Sequence, residues 1–208
     1  MFGFGELIIK GGVIMIPIIF CSILVVAVTI ERIISLHRAQ ADSETFFQKA
    51  EDPIRRNKIM EAINLCDEIP GSVSRIVKSG LLSHDRSIEE IREAIEETAS
   101  FEIPYLERFL PILATIATVA PLLGLMGTVI GLVKAFMVVQ MKGGLVNPAD
   151  LAGGIWEALI ATLAGLTVAI PAYLAYNYFT YRVNIIVTEM EKSTSRLLQL
   201  LSVREPVE

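Results

Sequence analysis

Along most of this chain apolar residues recur at helical spacing among polar ones, but three stretches turn almost wholly apolar. The first is GGVIMIPIIFCSILVVAVTI, residues 11–30, closed by Glu31 and Arg32. The second runs from Phe109 to Val139 and the third from Ile155 to Tyr181. A helix rises ~1.5 Å per residue, so about 20 apolar residues cross the ~30 Å of hydrocarbon in a bilayer. Each stretch reaches that length. A helix also satisfies its own backbone hydrogen bonds where water is absent. Three membrane-spanning helices are therefore predicted, at 11–30, 109–139 and 155–181.

Between the first two spans, residues 31–108 keep a helical period with a polar face. In RRNKIMEAINLCDEI, Ile59, Ile63 and Cys66 share one side, and Pro70-Gly71 ends the run. Ser87 stands three residues before Glu90, the spacing of a capping box, and opens a helix with Ile88, Ile91 and Ile95 on one face. Pro104 and Pro111 mark kinks where the chain enters the second span. The tail, residues 182–208, places Ile186, Met190, Leu197 and Leu201 on one face and prolongs the third helix. These stripes pack against one another or against neighbouring subunits; the pattern leaves both open. The fold class is all-α: an integral membrane protein with three transmembrane helices, two of them extended into a cytoplasmic helical region.

Composition agrees. Of 208 residues, 53% are hydrophobic, and the mean hydropathy is +0.57. A charged fraction of 20% requires a sizeable part in water, and a net charge of -5 argues against a nucleic-acid surface. Glu6 precedes the first apolar stretch, which exceeds the core of a signal peptide and lacks a small-residue cleavage site; a retained span is expected. Lys and Arg crowd residues 31–108 and 182–208, against Lys10, Lys134 and Lys142 on the other side. The positive-inside rule then puts 31–108 and the tail in the cytoplasm, with residues 1–10 and the 140–154 loop outside.

Conventional site chemistry is missing from the pattern. Cys21 and Cys66 fall in different environments, which favours neither a disulfide nor a cysteine metal site. His37 and His84 have no ligand-like companions. There is no GxxxxGK, HExxH or GxSxG, so an enzyme is not expected, and neither a metal nor an organic cofactor is.

What the second and third spans do contain is a small-residue face. Turning ~100° per residue, Ala117, Pro121, Gly124, Gly131 and Ala135 cluster about Thr128, and Gly127 pairs with Gly131 as GxxxG. Val119, Leu123, Met126, Ile130 and Val133 fall opposite. In the third span Gly154, Ala158, Ala161, Gly165, Ala169 and Ala172 form a similar stripe, with Trp156, Leu159, Leu163, Leu166, Ile170 and Leu174 on the other side. Small faces let helix backbones approach in lipid, so these faces meet protein. Two readings of Thr128 stand: a hydroxyl bonded to its own helix, or a polar point on a contact face. Glu157 is the carboxylate inside a span. It either turns to a partner or aqueous cavity, or sits at the outer interface that Trp156 marks. Glu157 and Thr162 point ~140° apart, with the small stripe between them.

APLLGLMGTVIGLVKAF followed by GIWEALIATLAGLTVAIPAYLAYNYF closely resembles the last two spans of the MotA/TolQ/ExbB proton-channel family. The ERII after the first span and PGSVSRIVKSGL are similar to that family too, so the likeness covers nearly the whole chain. Three spans match the ExbB/TolQ branch, whereas the MotA branch has four. The resemblance implies a homopentamer in the inner membrane of Gram-negative bacteria, with the second and third helices lining a central pore. That pore holds the single transmembrane helices of an ExbD- or TolR-like dimer. Proton flow then drives motion that a TonB- or TolA-like protein carries onward. The resemblance assigns Glu157, Thr128 and Thr162 as the polar pore residues and H+ as the translocated ion. The small residues, Gly127 included, would line the pore and pack the helices. A TolQ-like role, a self-sufficient cation channel and a plain scaffold are the alternatives.

Overall fold

The structure is a computed structural model that describes residues 11–39, 43–143 and 147–202, with side chains from 46 onward in the second stretch. The expectations for residues 1–10 and for the tail beyond Ser202 lie outside the described residues. Every regular element among those described is a helix: α1 (Met15–Ala39), α2 (Ser43–Arg55), α3 (Ile59–Glu68), α4 (Ser72–Leu82), α5 (Ile88–Glu107), α6 (Leu110–Met141) and α7 (Pro148–Ser202). Three helical segments are long and apolar enough to cross a membrane: Met15–Ala39, Ile88–Met141, which takes in α5 and α6, and Pro148–Ser202. The chain is thus an all-α, multi-pass membrane protein. It divides into two compact units, one of residues up to Ile30 with Phe109–Tyr178, the other of Glu31–Arg108 with the chain from Phe179 onward.

In the first unit, α6 and α7 lie antiparallel and α1 packs on them. Ile14, just before α1, and Ile18 of α1 close over Ala161 of α7, with Leu123, Ala164 and Val168 around them. Away from that contact α1 leaves Ile16, Phe20, Ile23 and Val26 exposed, an apolar stripe suited to lipid. Phe109, just before α6, is left-handed at φ 69°, uncommon for a bulky residue. Pro111 supplies the reason for a helix start here. It has no N–H to continue a bond onto the carbonyl four residues back, but it is at home in a helix's first turn.

The second unit is a water-type helical core. Phe46, Ile54, Val77, Leu81, Ile91 and Ile95 are all but fully buried. The tail stripe of α7, Ile186, Met190, Leu197 and Leu201, is buried as well. A Cβ at Gly80 of α4 would stand 2.7 Å from both Ile95 of α5 and Leu197 of α7. The amphipathic stripes therefore pack against each other within one chain. Ser87 and Glu90 form the full capping box, each side chain accepting from the other's backbone N–H. Arg75 of α4 grips Glu102 of α5 through two nitrogens at 2.5 and 2.6 Å. Arg32 is wholly buried, its Nη1 donating to the Leu106 carbonyl at 3.0 Å while the guanidinium pairs with Glu31.

Candidate functional site: the seam between α6 and α7

The small residues meet one another across α6 and α7. A Cβ at Gly124 would stand 3.0 Å from the Thr162 Cα and 3.1 Å from the Ala161 carbonyl. At Gly165 it would lie 2.5 Å from the Ala120 carbonyl; at Gly127 it would strike the Ala161 methyl, and at Gly131 the Gly154 carbonyl. Contact numbers rise along α6 as they fall along α7, which is an antiparallel hairpin in register. Gly124, Gly127, Gly131, Ala158, Ala161, Gly165, Ala169 and Ala172 are all buried, while Ala117 and Pro121 are half-buried. The protein that this face of α6 meets is α7 of the same chain.

The two threonines settle differently. Thr162 Oγ1 donates across the seam to the Gly124 carbonyl at 3.2 Å, a bond open to it because Gly124 has no side chain in the way. In a membrane such bonds contribute ~0.6–1.7 kcal/mol. Thr128 Oγ1 donates to Leu125 of its own helix at 2.6 Å. The two hydroxyls are not bonded to each other. Thr115, Thr118 and Thr167 are exposed and likewise bonded to carbonyls of their own helices.

Relative to the buried stripe, Thr128 and Pro121 fall to one side of α6 and Leu123 and Lys134 to the other, at ~100° per residue. On α7, Thr162 falls to one side and Glu157 to the other. Because the helices are antiparallel and stripe faces stripe, Thr128 and Thr162 share one flank of the hairpin. Lys134 and Glu157 share the opposite one. Direct contacts agree: Ile14, just before α1, comes within 3.6 Å of a Cβ built on Gly127, and Gly12 abuts the Glu157 carboxylate. So the entry to α1 and its first turn cover the Glu157 flank, and the threonine flank is left open within this unit.

Glu157 forms an ion pair with Lys134, Nζ to Oε1 2.5 Å, with side-chain exposures of 18% for the acid and 50% for the lysine. A residue other than glycine at position 12 would have its Cβ on that same Oε1, and Gly12 is left-handed at φ 71°. Lys142 and Asp150 pair at 2.6 Å nearer the connection between the helices. In the sequence Lys134 counts only toward the charge balance across the membrane. The signal for its pairing was there: α6 carries Lys134 as its one ionic residue, and antiparallel packing brings it level with Glu157. Among the described residues no group of three or more His, Cys, Asp or Glu gathers as metal ligands would.

Residues 68–192 match the model of the MotA/TolQ/ExbB proton channel family. A Synechocystis protein named biopolymer transport protein ExbB-like 3 is 33% identical over 81% of each chain. The Tol-Pal system protein TolQ of Haemophilus influenzae is 35% identical over 88% of this chain and 86% of its own length. The biopolymer transport protein ExbB of Neisseria meningitidis is 29% identical over 82% of each. The matched segment takes in α4, α5, the whole α6–α7 seam and the Glu157 and threonine positions on its two flanks, and the chain belongs to the MotA/TolQ/ExbB proton channel family, in its ExbB/TolQ branch.

Proposed function

We propose that this chain is the pore-forming stator subunit of a motor driven by the proton motive force, of the ExbB–ExbD–TonB type, in a bacterial inner membrane. The observation that carries the reading is the open flank of the seam. It bears Thr128 and Thr162 beside half-buried Ala117 and Pro121, while α1 takes up the other flank. A wall of small residues and hydroxyls has low relief and no fixed charge. A threonine oxygen that donates to a carbonyl still accepts from water or a passing partner. Several copies, five on the family pattern, turn these flanks inward around the single helices of an ExbD- or TolR-like dimer. H+ is the translocated ion, no organic cofactor takes part, and a TonB- or TolA-like protein receives the motion. Residues 31–108 and 182–208 lie in the cytoplasm, with 1–10 and 140–154 on the periplasmic side. The family pattern makes Glu157 the third polar residue of the path.

The test is complementation of a strain lacking its own ExbB, with the chain co-produced with an ExbD-like partner. Thr128→Val with Thr162→Val is expected to abolish proton-driven uptake while the oligomer still assembles. Full activity in that variant refutes the assignment. Proton flux in liposomes holding this chain alone would instead establish a self-sufficient channel. The likeness to a TolQ keeps a Tol-Pal role as the second reading, and rescue of a strain lacking TolQ but not of one lacking ExbB would select it.

A further inference from the structure

We infer that the groove at the C-terminal end of α1 is a binding site for the phosphate of an anionic phospholipid of the phosphatidylglycerol class, with Arg38 as its principal ligand. The site lies wholly within the second unit, and it needs neither a partner protein nor the proton-driven role proposed above.

The groove is a cavity of about 510 Å³. Ile34, Ser35 and Arg38 line it from α1, Gly71 and Arg75 from the start of α4, and Tyr105 from the last turn of α5. Most of its charge is already paired. Glu31, the acid on the wall, holds the Arg32 guanidinium, and Arg75 holds Glu102. Arg38 is exposed and pairs with no acid among the described residues, so it leaves the groove one surplus positive charge. A phosphodiester carries one negative charge, and the fork of a guanidinium matches its two free oxygens. Donors stand around Arg38. Ser35 and Tyr105 bring hydroxyls to the wall, and Gly71 opens α4 with no side chain bonded to its first N–H groups, where the helix dipole favours an anion.

The surroundings of the groove favour a lipid over a soluble anion. With 25 residues, α1 is ~38 Å long at 1.5 Å per residue, against ~30 Å of hydrocarbon. Its last turn, which carries Arg38, therefore stands at headgroup depth. Ile33 and Ile34 on α1 are exposed, and so are Phe101 and Tyr105, one turn apart on α5. A soluble anion would leave those four side chains in water. Acyl chains cover them, and an aromatic pair is at home where membrane meets water. Basic pockets beside spanning helices take anionic headgroups at this depth.

The test is native mass spectrometry of the full chain in detergent, titrated with phosphatidylglycerol and, separately, with phosphatidylcholine. Phosphatidylglycerol is expected to bind about fivefold more tightly. Arg38→Gln should remove that preference, lowering the affinity for phosphatidylglycerol about fivefold and leaving phosphatidylcholine unchanged. Arg86→Gln, at an exposed arginine outside the groove, should change neither by more than about 1.5-fold. Equal affinity for the two lipids overturns the inference. An equal loss from the two arginine variants, the mark of diffuse surface charge, overturns it as well. Displacement of the lipid by glycerol 3-phosphate at equal concentration would make a soluble anion the ligand and overturn it too. Should Arg38→Gln fail to fold, Tyr105→Phe takes its place. Loss of that hydroxyl is expected to weaken phosphatidylglycerol about twofold, and an unchanged affinity overturns the inference.

Discussion

Gly131→Ala adds one methyl group inside the seam, and its effect follows from what that methyl meets. The new Cβ would strike the Gly154 carbonyl and lie 2.9 Å from the Ala158 methyl and 3.0 Å from the Ala158 nitrogen. Two of those three atoms are backbone and cannot rotate aside. Ordinary contact begins near 3.4 Å, so α6 and α7 have to part by about half an ångström or more along this stretch, losing dispersion contacts on both sides. Overpacking of this kind costs ~1–3 kcal/mol, and contact with backbone puts the case at the upper end. Replacing glycine by alanine in a helix returns ~1 kcal/mol, for a net loss of ~2 kcal/mol. Gly153 provides the control, since a Cβ there meets nothing within 4 Å and the helical gain stands unopposed. The two variants should differ by ~3 kcal/mol, or about 6–12 °C in midpoint for a chain of this size. Thermal unfolding in detergent, followed by far-UV circular dichroism, measures the gap. If Gly131→Ala unfolds at or above the midpoint of Gly153→Ala, the two helices do not pack at backbone distance and the description of the seam is wrong.

Arg32→Met keeps the buried stem but strands the Leu106 carbonyl and the Glu31 carboxylate. Because Glu31 keeps 42% of its side chain in solvent, the loss is expected below the ~3–5 kcal/mol of a fully buried pair, at about 2 kcal/mol; an unchanged unfolding midpoint would refute the anchoring role. Hydrogen bonds from Arg55, then from Arg196, hold the Glu51 carboxyl below its ordinary value of 4.5. A lowered folded value means that its contribution is complete above about pH 4.5 and is lost as pH falls through the folded value. Glu51→Gln should therefore flatten the acid-side fall in stability between about pH 5 and pH 2, and parallel pH profiles for the two proteins would disprove it.

The parts of this fold that were legible in the sequence are those set by neighbours a few residues apart. Apolar length announced the three spanning helices, the Ser87–Glu90 spacing announced a cap, and the Ile186–Leu201 stripe announced the continuation of α7. The small faces of α6 and α7 were legible as faces. Their mutual burial was not, because a small stripe suits any close-packed neighbour, and the neighbour turned out to lie on the same chain. Thr128 kept two readings at the outset, and the bond to Leu125 is the local one. The Lys134–Glu157 pair depends on the register of an antiparallel hairpin, which no single helix reveals. In the sequence Arg32 is the polar end of a span, yet it is buried whole, and its length lets it reach the Leu106 carbonyl in the last turn of α5.

The division between the two flanks has a physical logic of its own. Glu157 and Thr162 are five residues apart, and at ~100° per residue that places them ~140° from each other. With the stripe between them held by α6, one must go to each side. A fixed charge on the open side would meet an opposite charge on a partner at ~4 Å with an attraction of about 4 kcal/mol, even at the effective dielectric near a protein surface. On the proposed function, a moving partner would be held there. A hydroxyl exchanges hydrogen bonds at ~1 kcal/mol each, comparable with thermal energy, and lets the partner pass. The hairpin therefore holds its charge beside Gly12 at the entry to α1, paired with Lys134, and its hydroxyls on the open flank.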